Sequence, residues 1–187
     1  NADIKIANGL VLVTGGTGPK VRPIVSCKGT TCQYGSIDTF ALSEEIHQKF
    51  FNGYSHVKLP HKFKIGVGGC PNNCIKPDLN DLGIVGQKVP SFYKNECMKC
   101  KKCTVEQICP MEAAKLVNDI LEINKNECNN CGRCIGKCHF SAIVDGSVGY
   151  KVYIGGRWGN QIAIGKPLSK IFTNKKEVID IVEKTIL

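Results

Sequence analysis

Twelve of the 187 residues are cysteines, at positions 27, 32, 70, 74, 97, 100, 103, 109, 128, 131, 134 and 138. Thiols repeated at two-residue gaps bring several sulfurs to one point, which a metal centre needs and a disulfide framework does not. Six disulfides would suit a small secreted scaffold, and the sequence predicts no secretory leader. The pattern therefore predicts metal ligation, with twelve ligands dividing into three sets of four. A repeat organises eight of them. Lys94-Asn95-Glu96-Cys97-x-x-Cys100-x-x-Cys103 returns thirty-one residues later as Lys125-Asn126-Glu127-Cys128-x-x-Cys131-x-x-Cys134. Each copy is trailed by a fourth cysteine, Cys109 (before Pro110) and Cys138 (before His139). The other four form the pairs Cys27-x4-Cys32 and Cys70-x3-Cys74.

The elements that must hold these residues are legible in part. Leu10–Val13 and Pro23–Ser26 are apolar strand candidates, separated by the turn-rich run Gly15, Gly16, Thr17, Gly18, Pro19. Ser36 is the expected N-cap of an amphipathic helix with Ile37, Phe40, Ala41, Ile46 and Phe50 as its apolar positions. Further strands are expected over 63–67, 82–85, 120–124, 150–154 and 161–164. Asn174 with Glu177 reads as a capping box opening a last helix, whose apolar face is Val178, Ile179, Val182 and Ile186. The expected organisation is one lobe of residues 1–90 joined to 144–187, with a cysteine module, 91–143, inserted between.

The duplicated Cys-x2-Cys-x2-Cys runs resemble the bacterial two-cluster ferredoxins, in which the fourth cysteine of each run ligates the other cluster. That resemblance implies one [4Fe-4S] cluster on Cys97, Cys100, Cys103 and Cys138, and a second on Cys128, Cys131, Cys134 and Cys109. Two departures are visible: five residues rather than three separate Cys103 from Cys109, and His139 stands where proline usually follows the last cysteine.

The outer pairs resemble a second site. Gly69-Cys70-Pro71-Asn72-Asn73-Cys74, six residues, then Asp81-Leu82-Gly83-Ile84, is similar to the sirohaem and [4Fe-4S] motif of the sulfite and nitrite reductase family. Gly68 replaces the usual Ser, Thr or Val, and the Cys27–Cys32 gap is one residue short of the family's five. The resemblance implies an α+β fold: a sulfite reductase-type sheet-and-helix lobe carrying an inserted two-[4Fe-4S] ferredoxin-like module, as in dissimilatory-type and anaerobic sulfite reductase subunits. It implies a third [4Fe-4S] cluster on Cys27, Cys32, Cys70 and Cys74, with Cys74 also bridging to the sirohaem iron as axial ligand. It implies six-electron reduction of sulfite to sulfide, fed by an electron-donor protein. Arg22, Lys28 and Asn72, with Cys74, are the expected sirohaem contacts; Lys20, Lys76 and Arg157 are further candidates for its carboxylates. Nothing in the sequence resembles the family's N-terminal half. That half is expected on a missing segment or a partner subunit, and the isolated chain is expected to be inactive.

Charge and composition bound the remaining classes. The formal charge is +9, but three clusters each held by four thiolates would lower it to about +3. The basic balance is thus weak support for nucleic acid, and the aromatic residues form no stacking stripe. No run of about eighteen apolar residues is present, so no membrane span is expected. Exposed cubanes imply a reducing, anaerobic cytoplasm. Three readings compete with the reductase: a stand-alone iron–sulfur electron carrier, a nitrite reductase of the same family, and a zinc-bound basic nucleic-acid binder.

Overall fold

The computed structural model describes residues 17–187, together with the backbone of Ile4–Ala7 and Leu10–Val13. Gly15 and Gly16, the start of the expected glycine turn, lie outside the described residues. Strands β1 (Ile4–Ala7) and β2 (Leu10–Val13) pair antiparallel. The remaining elements are β3 (Val25–Ser26), α1 (Thr39–Ile46), β4 (Ile65–Gly68), β5 (Leu82–Pro90), α2 (Thr104–Ile108), β6 (Ala114–Val117), β7 (Ile120–Ile123), β8 (Gly146–Ile154), β9 (Lys166–Pro167) and α3 (Lys175–Ile186). The main sheet runs β3-β4-β5-β8-β9, with the first three strands parallel and the last two antiparallel to their neighbours.

The β5–β8 pair spans nine residues each, from Leu82↔Ile154 to Pro90↔Gly146. Between its two strands, the chain makes the separate β6–β7 hairpin and the repeated cysteine loops. A large core forms where α1 and α3 cover the sheet: Leu42, Ile46 and Phe50 meet Ile65, Val67, Leu82, Ile84 and Val152, and α3 adds Val178, Ile179, Val182 and Ile186. Burying each such side chain stabilises by about 1.5–3 kcal/mol. A small second core holds Val105, Ala114, Leu121 and Ile143, and five cysteines pack against it.

Several expectations need correction. Asp38, not Ser36, caps α1: its carboxylate accepts from the Ala41 amide at 3.0 Å. The carboxylate also accepts from Thr30, and a phase shift in the helix leaves Phe40 and Ala41 exposed while Thr39 and Leu42 turn inward. The helix runs on from α1 as a π turn, His47–Asn52, which carries Phe50 into the core. Residues 161–164 form no strand; only the bridge Arg157↔Ala163 joins that loop, and β9 lies beyond it. Asn174 caps α3 through the Lys176 amide, but Glu177 turns away to pair with Lys170 at 2.9 Å, so no capping box closes.

Candidate iron–sulfur sites

The outer four cysteines stand at the carboxyl ends of two neighbouring parallel strands, where open sheets present their ligand sites. Cys27 follows β3 and Cys70 follows β4. The Cys27 amide donates to the Val67 carbonyl at 3.1 Å, and the Gly69 amide donates to Cys27 Sγ at 3.1 Å. Thr39, fully buried, donates its hydroxyl to the Cys27 carbonyl at 2.8 Å, locking the first loop to α1. The two loops approach so closely that a Cβ on Gly29 would lie 2.8 Å from Gly69 Cα. Asn73 takes the left-handed conformation (φ 55°), turning the chain from Cys70 towards Cys74. Beneath this turn, Pro77 lies on Gly66, Gly68 and Gly83; a Cβ on Gly83 would stand 2.3 Å from the Pro77 carbonyl oxygen. Burial pushes the Cys70 thiol up first, and Cys74, Cys32 and Cys27 push it further, so the four are electrostatic neighbours.

The repeated cysteines fall into two further neighbour sets. Cys100 is raised by burial and then by Cys103, Cys138 and Cys97. Cys134 is pushed up to about 11 by burial, with further raising contributions from Cys128, Cys131 and Cys109. These last four also line one hollow together with Pro110 and Ile123. Each trailing cysteine thus stands beside the opposite run. The repeat is visible in the backbone: Lys99 and Asn130 are left-handed at matching positions, as are Glu112 and Ser141, three residues beyond Cys109 and Cys138. Among the described residues no three Cys, His, Asp or Glu side chains converge closely enough to hold a single metal ion.

The second loop adjoins the sheet. The Lys88 amide of β5 donates to the Asn130 carbonyl at 2.8 Å, and Lys88 bridges Cys131. The Arg133 guanidinium lies 5.0 Å above the Tyr34 ring, two residues past Cys32. Asn129 shares a cavity of about 120 Å³ with Pro71, Asn73, Gln87, Lys151 and Tyr153. The side-chain amide oxygens of Asn73 (Oδ1) and Gln87 (Oε1) are buried with no hydrogen-bond partner among the described residues. None of this seam was expected from sequence. Its one available signal was Gln87, a polar residue interrupting the apolar run of β5.

The other expected contacts divide. Lys28, Asn72 and Cys74 are exposed around the outer quartet. Arg22 is half-buried a strand's length upstream, its amide on the Phe63 carbonyl. Lys20 donates to the Ser55 carbonyl, and Lys76 is exposed in the left-handed conformation. Arg157 does not join the quartet: it lies at the amino ends of β4 and β5, beside Lys64, Asp81 and Trp158, and donates to Gln161 at 3.2 Å. The histidines share no site; His47 stacks on Phe51, and His56, His61 and His139 are exposed. No helix among the described residues is long and apolar enough to cross a membrane.

Comparison with known proteins agrees with this geometry. The chain is 33% identical over 177 residues to the coenzyme F420-dependent sulfite reductase of Methanocaldococcus jannaschii, covering 94% of this chain and 27% of that protein. It is 28% identical to the beta subunit of the dissimilatory-type sulfite reductase of Nitratidesulfovibrio vulgaris, covering 81% of this chain and 43% of the subunit. The chain therefore spans less than half the length of these relatives. The crystal structure of dissimilatory sulfite reductase I superposes with a TM-score of 0.60 at 20% identity, over 92% of this chain and 47% of that one, and shares the α+β fold. The nitrite and sulphite reductase 4Fe-4S domain model matches residues 17–187, which takes in all twelve cysteines, and the chain belongs to that family.

Proposed function

We propose that this chain is the cluster-bearing part of a sirohaem-dependent sulfite reductase of the dissimilatory or anaerobic type, with residues 91–143 as a ferredoxin-like insertion. The observation that carries the reading is the outer quartet: four thiols on two strand ends, one of them accepting a backbone N–H. Four cysteine sulfurs are the donor set of a [4Fe-4S] cluster, and N–H groups aimed at such sulfurs tune it. Cys27, Cys32, Cys70 and Cys74 would hold one cluster, and Cys74, the most open of them, would also ligate the sirohaem iron. Cys97, Cys100, Cys103 and Cys138 would hold a second cluster, and Cys109, Cys128, Cys131 and Cys134 a third. When bound, the clusters and the macrocycle supply one-electron storage and the multi-electron reduction of sulfite. The chain's own residues hold and insulate these groups. Burial raises the Cys134 and Cys70 thiols, and each must release a proton to become a ligand. Lys28, Asn72 and Arg22 would offer hydrogen bonds and positive charge to an anionic macrocycle. The remaining substrate-binding groups would come from a partner half, and an electron-donor protein would supply reductant. Sulfite is favoured over nitrite because relatives matching 94% and 81% of the chain are named sulfite reductases, whereas two named nitrite reductases match 37% and 35% of it.

Iron, zinc and acid-labile sulfide counted after oxygen-free purification test the reading. About twelve iron with about twelve sulfide per chain is the expected result, falling to about eight of each in Cys109→Ser and in Cys138→Ser. About three zinc without sulfide, from iron-replete anaerobic preparations, would overturn it. The isolated chain is expected to form no sulfide from sulfite with added reductant.

A further inference from the structure

The two cysteine loops share a sequence pattern and a left-handed turn, yet their surroundings differ. The second loop is walled in: Asn129, Asn130, Gly132 and Arg133 are all half-buried, with Asn130 and Gly132 against Lys88, Arg133 over Tyr34, and Asn129 lining the cavity beside Asn73. The first loop is open. Met98 is 63% exposed, and Lys99, Lys101 and Lys102 are exposed at the positions matching Asn130, Gly132 and Arg133. Among the described residues none of these three lysines forms an ion pair. Residues 94–103 carry four lysines and one glutamate, a net +3; residues 125–134 carry Lys125, Arg133 and Glu127, a net +1. Of the nearby carboxylates, Glu96 and Glu112 are exposed, and Glu106 is engaged, accepting from the Leu116 amide at 3.1 Å.

We infer that the first loop is the docking face for an acidic electron-carrier protein, one whose negative surface surrounds an exposed one-electron centre. Lys99, Lys101 and Lys102 would steer and register the partner, and Met98 would supply a small apolar centre inside the charged ring. The face lies on the Cys97–Cys103 run, whereas it is the second loop that touches the outer-quartet lobe, through Lys88 and through Tyr34 beside Cys32. The inference rests on the proposed cluster assignment and gives it a polarity: entry at the first loop, exit at Cys74. It also explains an asymmetry that ligation alone does not require, since both loops offer three cysteines at the same spacing.

The test is binding, read by titration calorimetry on the cluster-loaded chain. The probe is an acidic bacterial two-cluster ferredoxin, with basic cytochrome c as the opposite-charge control. The triple variant K99E/K101E/K102E is expected to weaken ferredoxin binding about tenfold or more, and to flatten its dependence on salt. A second triple of the same charge change, K58E/K62E/K166E, uses exposed lysines remote from the loop; it is expected to change affinity less than threefold. The neutralising set K99Q/K101Q/K102Q should fall between the two, and cytochrome c should gain no affinity for the unmodified chain. Equal weakening by both charge-reversed triples, or none by the first, would overturn the docking face. Iron and sulfide are counted on the same samples. Full cluster content with unchanged affinity overturns docking alone, whereas absent clusters in the unmodified chain overturn the cluster assignment and the docking with it.

Discussion

Two cores lie side by side in this chain and hold their surroundings differently. The larger contains fifteen buried apolar side chains drawn from both ends of the described sequence, from Val21 to Ile186. The smaller contains four, and its partly buried partners include Cys97, Cys103, Cys109, Cys134 and Cys138. The larger core is closed by hydrocarbon alone and has a five-stranded sheet to carry it. The smaller has a two-stranded hairpin and counts five of the repeat's cysteines among its packing residues. Four apolar residues are too few to order some fifty residues unaided, so under the proposed ligation folding and metal loading would be one event. The sheet, in contrast, would present its quartet before any cluster arrived.

The largest effect that could break this contrast follows from stripping iron from the loaded protein. Amide exchange over β6 and β7, including Leu121, should then rise by several orders of magnitude, while Ile65, Val67 and Ile84 keep their protection. Equal loss in both regions would remove the distinction. A middle-sized effect comes from one substitution in each region. Ile84→Ala empties a fully buried position and should cost about 2–5 kcal/mol in urea unfolding of the larger core. Gly132→Ala should cost about 1–3 kcal/mol in the smaller region alone, because its φ is +71° and its Cβ would stand 2.9 Å from Lys88 Cβ. Its signature is lowered iron retention with an unchanged transition of the larger core. The smallest effect concerns acid. Lys49 and Tyr54 hydrogen-bond Glu183 at 2.8 and 2.6 Å and hold its carboxyl below the ordinary 4.5. A depressed carboxyl contributes stability that is present above pH 4.5 and lost as pH falls through its lower folded value. Glu183→Gln should therefore flatten the acid limb of the larger core's stability curve without changing iron content. An acid limb left as steep as before would show that other carboxylates govern it.

The chemistry of this protein was more legible than its architecture. Cysteine spacing is a short-range code, and the resemblance to two-cluster ferredoxins implies the crossed neighbours of Cys109 and Cys138 that the structure brings together. The buried face of α3 was equally plain, because Val178, Ile179, Val182 and Ile186 follow helical period. The start of α1 was not, since Ser36 and Asp38 are both good caps by type. Only the Thr30 hydroxyl on the Asp38 carboxylate, a contact made across the cysteine loop, distinguishes them. The β6 strand was missed because Ala114–Val117 is short and earns its place by pairing with Ile120–Ile123. The seam of Lys88, Asn130, Arg133 and Tyr34 joins residues far apart in the chain, and no local pattern could announce it.

The glycines under Pro77 carry one more consequence, and it concerns heredity. Every single-base change that alters a glycine codon to another residue adds at least a Cβ. At Gly66 that atom would meet the Asn80 side-chain nitrogen at 2.7 Å, and at Gly83 it would meet the Pro77 carbonyl oxygen at 2.3 Å. Lineages that change these codons must displace the 77–80 turn that follows Cys74, even though no cysteine has mutated. The reachable variants of this sheet are thus fenced by residues that bind nothing, and a catalogue of ligands would leave the fence unmarked.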